Sequence, residues 1–342
     1  MNTNHLYKKL KETTMMYALF QKKIASVLLV LGTLISGVVV AQSGAYPNKP
    51  IKFIVPYPPG GGTDVIARIV QEPLSQNLGQ QVIIENRGGA GGSIGSEIAA
   101  KSPPDGYTVL FTLSSHTINP AIYPKLGFNT ERDFLPVVTI ASLPQILVAN
   151  PDFPAKSVKD VIDMARAKPN SISYASVGNG SPGHLAGAMM AGAANVKMTH
   201  IPYRGGGPAV TDVMGGQVPL LWVSIPAAAN FVKAGKLKAL AVSTTKRSAV
   251  FPDVPTMAES GFKDFEVDSW YAMFVPANTP KAAVDRLNAA ANKVLSMPDV
   301  KEKLLNQGAE AVGGSPDALG KVVKAELAKW DKVVKENGIK AE

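Results

Sequence analysis

Four glycine-rich segments each join a strand-like apolar run to a helical pattern of apolar residues. They are Tyr57–Asp64, Asn86–Ser93, Ser176–His184 and Pro202–Pro208. Such a loop presents free backbone N–H groups at the positive end of a helix dipole, an arrangement that binds anions. One such loop indicates little, because glycine also serves ordinary tight turns. Four of them predict a cleft that is lined with backbone amides and suits an anion.

Two of these segments also match enzyme signatures. Gly178–Gly183 has the G-x-G-x-x-G spacing of a dinucleotide-binding loop, but residues 195–211 contain no acidic residue to bind a ribose. Gly91–Gly95 matches G-x-S-x-G with Ser93 as the nucleophile. A nucleophile elbow places its serine directly after a strand, whereas loop residues 86–90 separate Glu85 from Gly91. We therefore expect no catalytic residue and no nucleotide cofactor.

A metal site is also not expected. His116, His184 and His200 are widely spaced, the chain has no cysteine, and no paired carboxylates lie at ligand spacing. Arg204 is the first candidate for a side chain that pairs with a bound carboxylate, and Arg87 is the second. The alternative for both arginines is an ordinary surface ion pair.

The order of the elements predicts an α/β fold with two lobes. Strands at Ile51–Val55, Gln81–Glu85 and Tyr107–Leu113 alternate with helices at Asp64–Asn77 and Ser93–Ala100. A second block has strands at Ile172–Ser176, Met198–Ile201, Leu220–Val223 and Ala239–Val242, and helices at Ser157–Ala167, His184–Ala194 and Ala209–Gly215. Apolar segments 137–149 and 266–275 would cross between the lobes. Helices at Lys281–Ser296, Asp299–Gln307 and Pro316–Asn337 would return to the first lobe.

The N-terminus is typical of an exported protein. Lys22 and Lys23 precede an apolar run, Ile24–Val40, and small residues then lead to Ala41. This order predicts a signal peptide over residues 1–41, with Met15 or Met16 as alternative starts. The competing interpretation is a membrane anchor, but the run is short for a span. The absence of cysteine excludes a lipoprotein attachment site, so a periplasmic location is expected.

The charge of the chain does not indicate a nucleic-acid partner. The 342 residues carry a net charge of +9 and are 46% hydrophobic. Without residues 1–41, 30 basic residues stand against 25 acidic ones. The basic residues are scattered, which is typical of a solvated surface. A slightly positive field suits an anionic small ligand.

From Tyr46 onward the sequence resembles a known family, the Bug (TctC-type) extracytoplasmic solute receptors of tripartite tricarboxylate transporters. The resemblance is colinear and rests on these segments: YPNKPIKFIVPYPPGGGTDVIAR (46–68), IIENRGGAGGSIG (83–95), PPDGYTVL (103–110), HTINPAIYPKL (116–126), SVGNGSPGHLAG (176–187), HIPYRGGGPA (200–209) and DVPTMAESGF (253–262). It implies a two-lobe periplasmic binding protein of the Venus flytrap type, in which each lobe is a β-sheet flanked by helices. The ligand, a di- or tricarboxylate or an aromatic carboxylate, would lie in the cleft between the lobes.

The resemblance also implies lobe boundaries and site residues. Lobe 1 would comprise residues 46–147 and 273–342, and lobe 2 residues 148–272. The expected ligand-binding residues are Tyr57, Pro59, Gly60, Gly61, Thr63, Asp64, Thr112, Ser114, His116, Ser176, Gly178, Gly180, Ser181, His184, Tyr203, Arg204, Gly205, Gly206 and Ser224. Thr63 and Asp64 are in addition candidate helix caps.

Three questions stay open at the level of the sequence. Ser224, Trp222 and the segment Asp268–Tyr271 are candidates for reading the far end of the ligand, although Trp222 and Trp270 could equally be core residues. The expected partner is the membrane permease of a tripartite transporter, with the receptor itself a monomer. The alternatives are a subunit that senses the ligand for a membrane kinase and a hydrolase that uses Ser93.

Overall fold

The computed structural model describes residue 8, residues 11–17 and residues 46–339, apart from residues 124, 264 and 337. Contacts divide the chain into two units, Met1–Gly44 and Ala45–Glu342. In the first unit, residues 11–17 are helical and exposed. The apolar run and the cleavage site of the predicted signal peptide lie outside the described residues. No helix within these ranges is long and apolar enough to cross a membrane.

The second unit is built on one ten-stranded sheet. Its strands are β1 (Ile51–Val55), β2 (Val82–Asn86), β3 (Thr108–Leu113), β4 (Phe134–Ala149), β5 (Ser173–Ser176), β6 (Thr199–Pro202), β7 (Leu220–Ser224), β8 (Lys238–Val242), β9 (Asp268–Pro276) and β10 (Glu310–Gly313). The helices around it are α1 (Gly62–Leu78), α2 (Ser93–Ala100), α3 (Ser115–Ile122), α4 (Val158–Ala167), α5 (Pro182–Ala193), α6 (Gly206–Met214), α7 (Ile225–Lys233), α8 (Lys281–Ser296), α9 (Pro298–Asn306) and α10 (Pro316–Glu336). A short 3-10 helix, Ala90–Gly92, precedes α2.

The sheet has two halves, each with parallel strands at its outer side. In the first half β1 lies between β2 and β3, with Phe53 opposite both Ile84 and Val109. In the second half β5 lies between β6 and β7 and is parallel to both. Because parallel strands end at one edge of a sheet, the loops that follow them open on that edge. The four glycine-rich segments are these loops.

Strands β4 and β9 connect the two halves. They pair antiparallel from Phe134 opposite Pro276 to Pro144 opposite Asp268. Beyond Pro144, β4 continues into the second half and pairs with β7 and β8. One continuous strand therefore carries the connection, and it contains the crossing segment predicted at 137–149.

Helices cover both faces of each half. On the first half, α1, α8 and α9 bury residues such as Ile66, Leu287 and Val300 in one cluster with β1. On the second half, α4 and α5 pack against Trp222, while α6 and α7 pack on the opposite face. Burying one such aliphatic side chain stabilises a fold by roughly 1.5–3 kcal/mol. These clusters hold the strand ends, and thus the loops, in place.

The last helix, α10, packs on both halves of the sheet, whereas the sequence predicted that it returns to the first lobe. Its first half packs Leu319 and Val323 with Phe134 and Trp270, whereas Trp330 lies in the Trp222 cluster of the second half. Between them, Glu326 accepts hydrogen bonds from Thr117 Oγ1 at 2.7 Å and Trp270 Nε1 at 3.0 Å. Burial raises the pKa of this carboxyl. The helix thus ties β9 and α3 together.

The structure adds elements that the sequence pattern did not predict, namely α3, α7 and β10. Both helices contain proline, which favours a loop when only the sequence is known. In α7, Pro226 occupies the first turn, where its missing N–H costs nothing. In α3, Pro120 lies inside the helix, which ends at Ile122.

Candidate functional site

The four glycine-rich loops converge in pairs across the two halves of the sheet. A Cβ atom added to Gly61 would lie 3.5 Å from the backbone N of Gly206, so the first loop touches the fourth. A Cβ atom added to Gly178 would lie 3.4 Å from the backbone N of Gly91, so the third loop touches the second. The backbone of Gly178 has a φ of +126°, which favours glycine, and an added Cβ atom there would lie only 3.0 Å from the Tyr203 carbonyl oxygen.

A cavity lies between these loops and the strands that connect the halves. Its volume is about 20 Å³, which is room for about one water molecule. Its walls are formed by Tyr57, Gly61, Gly62, Thr63, Leu113, Gln145, Val177, Pro182, Gly206, Ser224, Ser269 and Tyr271. None of these residues carries a charge. In this arrangement the loops are closed on each other, and an organic ligand would need them to move apart.

Three helices begin at the cavity wall. α1 starts at Gly62, α6 at Gly206 and α5 at Pro182. The N-cap positions of α1 and α6 are Gly61 and Gly205, and neither provides a side-chain cap. The first N–H groups of these helices therefore keep their hydrogen-bonding capacity for another acceptor. Their dipoles add positive potential at the same place.

Two buried tyrosines supply hydroxyl groups to the cavity. Tyr271 donates to Ser224 Oγ at 3.0 Å and so joins β9 to the end of β7. Tyr57 donates to the carbonyl of Gly91 at 3.0 Å and also contacts the Ser115 hydroxyl. Burial raises the pKa of both Tyr57 and Tyr271, so both stay neutral at physiological pH. They can act as donors without adding negative charge.

Asp64 shapes the first loop from outside the cavity. Its carboxylate accepts from the Gly60 N–H at 3.0 Å, Arg68 Nε at 2.9 Å and Asn86 Nδ2 at 3.0 Å. Burial acts to raise the pKa of Asp64, but these hydrogen bonds outweigh it and the pKa lies below its usual value. The capping prediction is wrong in detail, because Gly61 is the N-cap and Asp64 lies in the first turn.

An uncharged network supports the third loop. Ser176 Oγ lies 2.7 Å from His200 Nε2 and accepts from the Gly178 N–H at 3.1 Å. The Gly180 N–H donates to His184 Nδ1 at 3.3 Å. The two imidazole rings stack with centroids 4.0 Å apart. Burial lowers the pKa of His184 to about 4, and burial together with His184 lowers that of His200 to about 3. Both histidines are therefore neutral at physiological pH.

The structure brings some of the predicted site residues to the cavity and places others around it. Tyr57, Gly61, Thr63, Gly206 and Ser224 form part of its wall. The remaining residues, which do not, are Pro59, Gly60, Asp64, Thr112, Ser114, His116, Ser176, Gly178, Gly180, Ser181, His184, Tyr203, Arg204 and Gly205. Among these, Ser114 lies directly behind the wall, with its hydroxyl 3.2 Å from that of Ser269.

His116 is the clearest departure from the expected site. Its ring packs against Phe128, Phe134 and Phe274, and its two nitrogens have no hydrogen-bond partner among the described residues. Burial lowers the pKa of His116 to about 3. The residue follows β3 as predicted, but α3 turns its side chain into the aromatic core.

Arg87 and the two tryptophans follow their simpler interpretations. Arg87 pairs with Glu85, whereas Arg204 is exposed, does not line the cavity and forms no ion pair within the described residues. Trp222 is fully buried and stacks on Phe265. Trp270 is also in the core. Tyr203, another expected ligand residue, donates its hydroxyl to Asp212 at 2.7 Å.

The sequence did not identify Gly62, Leu113, Gln145, Val177 or Pro182 as wall residues. Four of them adjoin a predicted site residue or follow a predicted strand directly. Gln145 is different, because it lies in the middle of β4. A single amide side chain within a long apolar run was the only indication of its role.

The structure gives the enzyme signatures no support. Ser93 Oγ accepts from Asn119 Nδ2 at 3.1 Å, and none of the hydrogen bonds in the described ranges joins it to a histidine. Within those same ranges no three His, Asp or Glu side chains are placed to hold a metal ion.

Comparison with known proteins identifies the family. The family model described as "Tripartite tricarboxylate transporter family receptor" matches residues 66–339. The chain belongs to this family. Its members are solute-binding receptors and not enzymes, so the hydrolase alternative is wrong and the predicted resemblance is confirmed.

Three solved structures of this receptor family are similar along most of the chain. The periplasmic binding protein BugD is 36% identical with a TM-score of 0.84, over 86% of this chain and 100% of that one. A Rhodopseudomonas palustris protein with adipate is 36% identical with a TM-score of 0.84, over 86% and 99%. MatC from Rhodopseudomonas palustris with bound malate is 32% identical with a TM-score of 0.81, over 84% and 100%. The chain thus has the predicted two-lobe fold of periplasmic binding proteins.

Proposed function

We propose that this receptor captures a carboxylate in the cavity between its lobes and delivers it to the permease of a tripartite tricarboxylate transporter. The observation that carries the proposal is the cavity itself, whose wall has three helix N-termini and several hydroxyl groups but no charged side chain. A site of this kind suits an anion and offers nothing to neutralise a cation.

Backbone amides are sufficient to hold a carboxylate there. Each hydrogen bond to a charged group contributes roughly 1.5–3 kcal/mol, and helix dipoles add to this in a site from which water is excluded. Thr63 and Ser224 add hydroxyl groups beside the amides of Gly61, Gly62 and Gly206. The two similar structures that contain adipate and malate support a dicarboxylate as the ligand class.

Closure of the lobes completes the site. We assign residues 46–147 and 273–342 to lobe 1 and residues 148–272 to lobe 2, so that β4 and β9 form the hinge. The cavity wall draws on both lobes, and only the closed state lets amides from both contact one ligand. The closed form is then the one that the permease recognises. Of the predicted residues outside the wall, Asp64, Ser176 and His184 position the loops.

The same proposal covers export of the chain and its interaction with the membrane permease. Residues 1–41 direct the chain to the periplasm and are removed there. The mature receptor acts as a monomer that binds a small carboxylate and docks on membrane permease subunits. Nucleic acid is not a partner. Deleting the gene should abolish uptake of the carboxylate, whereas a sensor subunit would affect only induction.

The experiment that tests the proposal is a thermal-shift screen of the receptor purified from the periplasm. We expect stabilisation by at least one di- or tricarboxylate at millimolar concentration, because a ligand that binds only the folded state raises its stability. Mass spectrometry of the same sample should give a chain that begins at Gln42. Absence of any shift with every carboxylate would refute the proposal.

A further inference from the structure

Gln145 has a position that no other wall residue shares. It lies on β4, opposite Ser224 of β7, at the point where the strand passes from one half of the sheet to the other. Gly61, Gly62 and Gly206 of the glycine-rich loops belong to the same cavity wall. A ligand whose carboxylate is held by those loops therefore shares this cavity with the side chain of Gln145.

The side chain of Gln145 borders the cavity, and no hydrogen bond to its amide is present among the described residues. Only 3% of the residue is exposed, and its hydrogen bonds within the described residues are all made by the backbone. Burying an amide without partners is unfavourable, and buried polar groups in folded proteins normally have them. Both Ser224 and Ser269 already contact another hydroxyl, from Tyr271 and Ser114 respectively. Gln145 is thus the wall group with most hydrogen-bonding capacity left for a ligand.

The backbone around Gln145 is held firmly. Its N–H donates to Ser243 Oγ at 2.8 Å, and its carbonyl accepts from the Ser243 N–H at 2.9 Å. Ser243 Oγ in turn donates to the carbonyl of Val267 at 2.8 Å, just before β9. The amide is therefore presented by a pre-organised backbone, which lowers the entropy cost of using it.

We propose that Gln145 is a specificity-determining residue whose Nε2 donates to a second carboxylate at the far end of the ligand. The side chain offers two N–H donors without a charge. It therefore favours a dicarboxylate over a monocarboxylate of the same length. This inference rests on the proposed function, because it takes the first carboxylate to be bound by the glycine-rich loops.

The test compares chain-matched acids on wild-type receptor and on two variants, Gln145→Leu and Gln145→Glu. Affinities for adipate and hexanoate, and for succinate and butanoate, are measured by calorimetry at neutral pH. We expect wild type to prefer at least one dicarboxylate by tenfold or more, as one hydrogen bond to a charged group predicts. In Gln145→Leu that preference should fall about tenfold, with little change for the monocarboxylate. Gln145→Glu should weaken the dicarboxylate further through like-charge repulsion.

A matched control is Gln307→Leu, which removes a glutamine that does not line the cavity and whose buried Oε1 has no hydrogen-bond partner among the described residues. It should leave the preference unchanged, and thermal melts show that each variant is folded. If wild type binds no carboxylate, the proposed function fails. If carboxylates bind but wild type ignores the second carboxylate, or Gln145→Leu keeps the full preference, the role of Gln145 is overturned and the function stands.

Discussion

The first and third glycine-rich loops, which both contribute to the cavity wall, are held by opposite means. The first loop, Tyr57–Asp64, is braced by the carboxylate of Asp64 and its bond to Arg68. The third loop, Ser176–His184, is braced by a serine and two neutral, stacked histidines. Both braces leave backbone amides free for a ligand. The difference shows that a glycine-rich loop can be held in place by a charged side chain, as in the first loop, or by neutral side chains, as in the third.

Removing the charged brace should have the largest effect. Asp64→Ala leaves Gly60, Asn86 and Arg68 without their acceptor, and the free energy of unfolding should fall by about 2 kcal/mol. Arg68 is half-exposed, which limits the loss. Ligand affinity should fall by about thirtyfold, measured by calorimetry. Glu72→Gln, on the exposed face of the same helix, is the control and should change neither quantity.

Lowering the pH should destabilise the third loop and leave the first loop stable. A histidine whose pKa is lowered by folding binds its proton first in the unfolded chain, so stability is lost as the pH falls below about 6.5. With His184 at about 4, its contribution at pH 5 is a loss of about 2 kcal/mol. Asp64, whose pKa is lowered, stays ionised there.

Hydrogen exchange measures this difference. Between pH 7 and pH 5, after correction for intrinsic rates, amides of residues 176–184 should lose protection while those of 57–64 keep it. Equal changes in both loops would contradict the distinction between a charged and an uncharged brace.

The acceptor role of His184 can be tested with an isosteric change. Asparagine places Oδ1 near the position of Nδ1, so His184→Asn should keep the bond from the Gly180 N–H and most of the affinity. His184→Ala removes the acceptor and should weaken binding about tenfold. Equal loss in both variants would show that ring packing, and not the hydrogen bond, supports the loop.

The smallest effect is expected at a contact that links the lobes outside the cavity. Tyr123 donates its hydroxyl to the carbonyl of Asn179 at 3.1 Å. Tyr123→Phe should favour the open state and weaken binding about threefold, mainly through faster dissociation. Tyr203→Phe removes a hydroxyl bond to Asp212 that lies within one lobe, and its dissociation rate should stay at the wild-type value.

Elements with a clear local pattern were predictable from the sequence. The predicted bounds of β1, α2 and α8 agree with the structure residue for residue, because apolar spacing and glycine or proline boundaries define them. Helices α3 and α7 were not predicted, since proline favours a loop and only tertiary packing shows otherwise.

The parts of the site that the backbone forms were predictable from the sequence, whereas the parts that side chains form were not. Glycine-rich junctions indicated the loops correctly. The burial of His116 among phenylalanines depends on the turn of α3, and the exposure of Gln145 to the cavity depends on strand pairing over a long sequence distance. Neither follows from local residue types.

An anchor made of backbone amides has a consequence for how such receptors diversify. No single side chain forms this anchor, so few substitutions can abolish it as long as the glycines remain. The side chains of the same wall, at Gln145, Ser224 and Ser269, can change one residue at a time without loss of these amides. A lineage built on this cavity can acquire new ligands by altering these side chains while every intermediate still binds an acid.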